Sequence, residues 1–191
     1  TTTYIVEVSN SGCVNRDTVT VSINVAQADA GANVSLCTGD TVQLNATGGQ
    51  SYAWSPSAGL SDASIADPLA FPTASTTYTV TVTDSIGCAA VDSVTVTVNP
   101  LPFADAGPDQ TICPLESTPL FGGPTGPPGA TYLWSPTTGL NNPTSSGPVA
   151  SPSTLTVYTV QVTDTNGCVN TDQVTVTPLP APTVDAGPDL S

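Results

Sequence analysis

The sequence predicts an all-β chain of small sandwiches in tandem. Three observations carry that reading: strict Val/Thr alternation, an internal period of 74 to 80 residues, and one Trp in each full period. In Tyr78-Thr79-Val80-Thr81-Val82-Thr83 and Ser93-Val94-Thr95-Val96-Thr97-Val98, Val falls on one face and Thr on the other, the period of a half-buried strand. Tyr4, Tyr78 and Tyr158 open near-identical strands, Trp54 and Trp134 sit in matching Tyr-x-Trp-Ser-Pro segments, and Asp-Ala-Gly recurs at Asp29, Asp105 and Asp185. No segment has helical periodicity.

The elements of one period follow in order. A first strand ends before Cys37, Thr41-Val42-Gln43-Leu44-Asn45 alternates again, and Gly48-Gly49 turns the chain into Ser51-Tyr52-Ala53-Trp54. Asp84-Ser85-Ile86-Gly87 then joins the two Val/Thr runs as a hairpin. Seven or so short strands per period, with a Trp on the third and a Tyr opening the penultimate one, describe an immunoglobulin-like sandwich of about 75–80 residues. In that frame Trp54 and Trp134 fill the core, and Tyr78 and Tyr158 take the place of a tyrosine corner.

The phase of the repeat divides the chain into the C-terminal part of a preceding repeat (1–25), two full repeats (26–100 and 101–180) and the first strand of a following one (181–191). Both ends are expected to be cut from a longer array. The junctions, Asn99-Pro100-Leu101-Pro102 and Pro178-Leu179-Pro180-Ala181-Pro182, favour stiff polyproline II, so a rod is expected.

Composition excludes several functions. One Lys or Arg against 15 Asp and Glu gives a formal charge of −14, which repels nucleic acid and anionic membranes alike. The absence of His removes a Ser-His-Asp triad and imidazole metal sites, so no enzyme is expected. With 8% charged residues but abundant Val and Thr, the chain reads as folded and extracellular; no apolar run is long enough to insert into a membrane.

The succession Ala-Asp-Ala-Gly-Pro-Asp-Gln-Thr-Ile-Cys from Ala104, Tyr-x-Trp-Ser-Pro, Thr-Tyr-Thr-Val-Thr-Val-Thr-Asp, Asn-Gly-Cys and the Pro-Leu-Pro linker resembles the PKD/immunoglobulin-like modules repeated in giant secreted adhesins of Bacteroidota. It is most similar to the stalk repeats of gliding adhesins exported by the type IX route. The PKD signature Trp-Asp-Phe-Gly-Asp-Gly is replaced by Trp54-Ser55-Pro56 and Trp134-Ser135-Pro136. The resemblance implies cell-surface location, a role in adhesion or gliding motility, and O-glycosylation at Asp17-Thr18-Val19, Asp40-Thr41-Val42, Asp84-Ser85-Ile86 and Asp92-Ser93-Val94. Asn33-Val34-Ser35 and Asn45-Ala46-Thr47 also fit the N-glycosylation acceptor pattern.

Five cysteines occupy two repeated positions: Cys37 and Cys113 after the first strand, and Cys13, Cys88 and Cys168 after the Gly of the last hairpin. In a Lys-poor secreted chain this reads as disulfides. Pairing within a repeat would join Cys37 to Cys88 and Cys113 to Cys168. A staggered bridge between repeats would instead join Cys37 to Cys168, because the positions within one repeat fall at opposite ends of a strand. Free thiols are the third possibility.

Asp29, Asp84 and Asp92 in one repeat, and Asp105, Asp109, Asp164 and Asp172 in the next, are placed by strand parity at the N-terminal end of their domain. Such an oxygen-rich cluster suits Ca²⁺. The competing reading is turn chemistry, with Asp bonding its own backbone before Gly.

The function expected is a passive one: a structural stalk segment of a long extracellular adhesin or filament that projects a binding tip and transmits force. Its partners would be neighbouring repeats, with surface glycans or other cells reached through a tip outside this segment. The alternatives are a carbohydrate-binding accessory module of a secreted hydrolase, using Tyr52, Tyr132, Phe71, Phe103 or Phe121, and a filament subunit assembled by edge-strand pairing.

Overall fold

A computed structural model describes residues 1–120, 128–185 and 187. Strands are its only regular secondary structure among these residues. The chain divides into two compact units, Thr1–Ser35 with Gly39–Val98, and Leu36–Thr38 with Asn99–Ser191. Phe121, and all but Gly187 of the segment following Asp185, lie outside the described residues.

In the first unit, β1 (Thr2–Asn10) and β2 (Cys13–Val21) form a regular hairpin in register from Thr2↔Val21 to Asn10↔Cys13. Its turn residues Ser11 and Gly12 have φ of 49° and 89°, the two left-handed positions of a type I′ turn.

The first sandwich comprises β3 (Val34–Cys37), β4 (Val42–Gln43), β5 (Ser51–Ser55), β6 (Leu69–Ala70), β7 (Thr76–Thr83) and β8 (Ala89–Asn99). Four of these form one sheet in the order β3-β8-β7-β5, and β4 pairs with β6 to make the smaller layer. The alternation in β7 and β8 has its physical outcome here: Tyr78, Val80, Val82, Val94 and Val96 are all 0–1% exposed. Burying each Val contributes about 1.5–3 kcal/mol. Trp54 lies in the same core, its Nε1–H donating to the Ile65 carbonyl at 2.9 Å.

The second sandwich repeats the plan with β9 (Gln110–Ile112), β10 (Thr118–Pro119), β11 (Thr131–Ser135), β12 (Val149–Ala150), β13 (Thr156–Thr163) and β14 (Val169–Pro178). Its sheet order is β11-β13-β14-β9, with β10 paired to β12. Ile112, Leu120, Trp134, Tyr158, Val160 and Val174 anchor its core, and Trp134 Nε1–H donates to the Ser145 carbonyl at 3.0 Å. The fold is therefore all-β, two immunoglobulin/PKD-like sandwiches in tandem.

Among the described residues each sandwich has six strands, where about seven were expected. In the first sandwich residues 56–68 run as hydrogen-bonded turns: Leu60 N–H donates to Ser57 O, and Ser64 N–H to Asp62 Oδ1 at 2.8 Å. The Thr41–Asn45 alternation likewise gives only Val42–Gln43 as strand, although Leu44 and Ala46 continue to bond across, to the Pro68 and Ala66 carbonyls.

One feature of topology governs the rest. The first strand of the second sandwich, β9, pairs in parallel with its last, β14, in the register Gln110↔Val176, Thr111↔Thr177 and Ile112↔Pro178. Leu179 N–H extends the ladder by donating to the Ile112 carbonyl at 2.8 Å. In the first sandwich β3 neighbours β8, and Thr38 N–H donates to the Asn99 carbonyl at 2.9 Å.

Candidate functional site

The cysteines are placed by this pairing. In the second sandwich Cys113 follows β9, whose end lies beside Pro178, whereas Cys168 precedes the start of β14 at Val169. Nine residue steps of strand separate those ends, roughly 30 Å, and a disulfide needs Cα atoms within about 7 Å. Cys37 and Cys88 are separated in the same way, because Thr38 bonds to Asn99 while Cys88 precedes Ala89.

The structure joins Cys37 to Cys168, with Cα atoms 5.6 Å apart and a sequence separation of 131. Both lie in the second compact unit, which takes in Leu36–Thr38. Cys168 is fully buried. Cys13 and Cys113 are exposed thiols and Cys88 is a partly exposed one, so neither pair of the within-repeat alternative is present.

The seven aspartates each accept backbone N–H groups. Asp29 Oδ1 takes Gly31 N–H at 2.8 Å and Asp105 Oδ1 takes Gly107 N–H at 2.9 Å, local turns at the entry to each sandwich. Asp92 Oδ2 takes Ala30 N–H at 2.8 Å and Asp172 Oδ2 takes Ala106 N–H at 2.7 Å, tying the entry segment to the last strand. Asp109 Oδ1 accepts from Thr175 at 2.8 Å. Asp84 Oδ1 caps its hairpin through Ile86 and Cys88, at 3.0 and 2.9 Å, as Asp164 does through Asn166 and Cys168, both at 2.8 Å.

The Ala30 N–H, then that of Ser93, stabilise the charged form of Asp92 and hold its carboxyl below the ordinary value. Among the described residues, no three His, Cys, Asp or Glu side chains gather into a group that could hold a metal ion.

Sequence reasoning missed Asn33 as a structural residue. Its side-chain oxygen accepts Thr95 N–H at 2.8 Å, the place Asp109 fills in the second sandwich. The signal was present in the alignment of the two repeats, where Asn33 and Asp109 both stand four residues after Asp of Asp-Ala-Gly.

The aromatics considered for ligand stacking are scattered. Tyr52 is half-buried and donates to the Gly49 carbonyl at 3.0 Å, Tyr132 packs at the edge of the second core, and Phe103 is exposed. Phe71 lines a groove of about 300 Å³ together with Pro56, Ala58, Gly59, Pro72 and Thr76.

No protein-family model matches the chain, and no curated protein matches it. Solved structures do. A three-domain immunoglobulin fragment of titin, in an E-to-A mutated variant, is 14% identical over 81% of this chain and 66% of its own length, with a TM-score of 0.41. The insect immune protein hemolin is 13% identical over 93% of this chain at a TM-score of 0.45, and this chain spans 56% of its length. The PKD domain from KIAA 1837 protein is 29% identical over 43% of this chain and 92% of its own, at a TM-score of 0.35.

Proposed function

We propose that the chain is a load-bearing segment of a long extracellular surface protein, an adhesin stalk or filament, whose task is to hold a distal binding element away from the cell and to carry tension. The single observation that supports this most directly is the parallel pairing of β9 with β14. Tension enters a sandwich through its first and last strands. Where those strands are parallel neighbours, pulling the ends apart slides one along the other, so their hydrogen bonds are loaded together in shear rather than opened one at a time. The Cys37–Cys168 bond adds a covalent link between residues of successive sequence repeats, and such bonds persist in oxidising, extracellular compartments. The adhesin reading itself rests on the resemblance of the sequence motifs.

The reading is tested by single-molecule stretching from both ends of the Cys37→Ser, Cys168→Ser variant, because the intact bond carries tension past residues 38–167. We expect one abrupt rupture per sandwich. Because the Ile112 carbonyl faces β14, strand parity turns the Gln110 N–H the same way, so Gln110→Pro removes one sheared bond and lowers the second sandwich's rupture force. Gradual extension at low force, unchanged by Gln110→Pro, would overturn the proposal.

A further inference from the structure

The β1–β2 hairpin is a copy of the β7–β8 and β13–β14 hairpins, but all of its residues are exposed. Its register is the same pair for pair: Tyr4↔Val19 matches Tyr78↔Val94 and Tyr158↔Val174, while Val6↔Asp17 matches Val80↔Asp92 and Val160↔Asp172. Tyr78, Val80, Val82 and Val94 are 0–1% exposed; Tyr4, Val6, Val8 and Val19 are 58, 59, 65 and 59% exposed. The sequence therefore specifies a core face that is exposed among the described residues.

The two complete sandwiches say what covers such a face. In each, the occupant begins with Asp-Ala-Gly and carries a Trp-bearing strand that pairs with the Tyr strand, Trp54↔Val80 and Trp134↔Val160. Two polar ties fix its register. The Ala N–H donates to the hairpin aspartate, Ala30 to Asp92 and Ala106 to Asp172, and an Asn or Asp side chain accepts from the hairpin Thr, Asn33 from Thr95 and Asp109 from Thr175. The hairpin holds the matching halves of both ties: Asp17 stands where Asp92 and Asp172 stand, and Thr20 where Thr95 and Thr175 stand. Asp17 also accepts Thr18 N–H at 2.8 Å, as Asp92 accepts from Ser93.

We propose that the Tyr4–Val6–Val8–Val19 face is a docking surface for one kind of partner: a polypeptide segment of the design of residues 26–74. Such a segment brings Asp-Ala-Gly-x-Asn/Asp to Asp17 and Thr20 and a Trp strand to β1, and so completes a third sandwich. The recognition is specific, since the apolar face alone would accept many strands, whereas the Asp17 and Thr20 ties require an Ala N–H and an Asx oxygen three residues apart in sequence. The proposal rests on the repeated register and is independent of whether the chain bears load.

The test uses the full chain with a copy of residues 26–74, carrying Cys37→Ser, placed directly before Thr1; residue 75 of the first sandwich corresponds to Thr1, so the register is continuous. Amide exchange is read at Val6 and Val19. We expect it to slow ~100-fold or more relative to the unextended chain, and Asp17→Ala in the extended chain to give back at least ~10-fold of that protection. A control chain with residues 75–100 in place of 1–25 reports whether the added segment can fold on a hairpin of this design. Protection in the control without protection at Val6 and Val19 in the native-hairpin chain would overturn the proposal.

Discussion

The hydroxyl of Tyr78 donates to the carbonyl of Ala58 at 3.0 Å, twenty residues upstream, and that of Tyr158 donates to Thr138 at 2.8 Å in the same relationship. Each bond fastens the first residues of the strandless loop to the core, where β7 or β13 begins. Tyr78→Phe keeps the ring and removes the donor, so we expect a loss of about 1–2 kcal/mol, measured as a lower denaturant midpoint at unchanged slope. Burial raises the pKa of both phenols above their ordinary value. A raised folded-state pKa means that this contribution is fully present below the unfolded phenol's value near pH 10 and is lost as pH rises through the folded one. Stability should fall steeply in that window, and Tyr78→Phe should shed its share of the fall.

The acid limb has the opposite sign. Asp92 is held below the ordinary carboxylate value by the Ala30 N–H and then by Ser93. Its contribution is therefore present above the unfolded carboxylate value and lost as pH drops through the folded one, below about pH 4. Asp92→Asn retains an acceptor for Ala30 but cannot titrate. Thermal midpoints between pH 2 and 5 should show a shallower acid limb in this variant than in the parent chain; parallel limbs would contradict the role of the Ala30 tie.

Gly59 makes the Tyr78 contact possible. Its φ is +75°, and a Cβ there would lie 2.8 Å from the Tyr78 hydroxyl and 3.1 Å from Pro72 Cα. Gly59→Ala combines left-handed strain of about 1–2 kcal/mol with displacement of the hydroxyl from Ala58, so a loss of about 2 kcal/mol or more is expected on chemical denaturation. Gly139 repeats the geometry, with φ +77° and 3.0 Å to Tyr158, and Gly139→Ala should behave alike in the second sandwich.

Much of this fold was legible in the sequence because its strongest signals are local. The period-2 Val runs, the Tyr near the start of β7 and the Trp on β5 mark residues whose burial depends on strand geometry alone. The pairing of β9 with β14 was not legible: β9 is three residues long, and its register is set by contacts such as Leu179 to Ile112, across 67 positions. The cysteines could be placed by their periodicity. The backbone partners of the aspartates could not, since spacing alone does not say which distant N–H a carboxylate accepts. The partner of Asp92 is Ala30, 62 residues away. Between Trp54 and Leu69 the chain runs in turns, where the Asp62 carboxylate accepts both the N–H and the hydroxyl of Ser64 and so offers that stretch turn geometry instead of a ladder.

The disulfide gives the last prediction. Closing a loop of 131 residues restricts the unfolded chain by about 4–5 kcal/mol in the entropic model, with measured bridges usually worth less. We expect the double variant Cys37→Ser, Cys168→Ser to lose about 2–4 kcal/mol, and Cys88→Ser to change stability little, since that thiol is partly exposed and unbridged. Digestion without reductant, after alkylation of the native protein, should give one linked pair of peptides carrying Cys37 and Cys168, with label on Cys13, Cys88 and Cys113. Linked peptides carrying Cys37 and Cys88 would contradict the geometry, because Cys37 stands beside Asn99 at one end of β8 and Cys88 precedes the other, roughly 33 Å of strand apart.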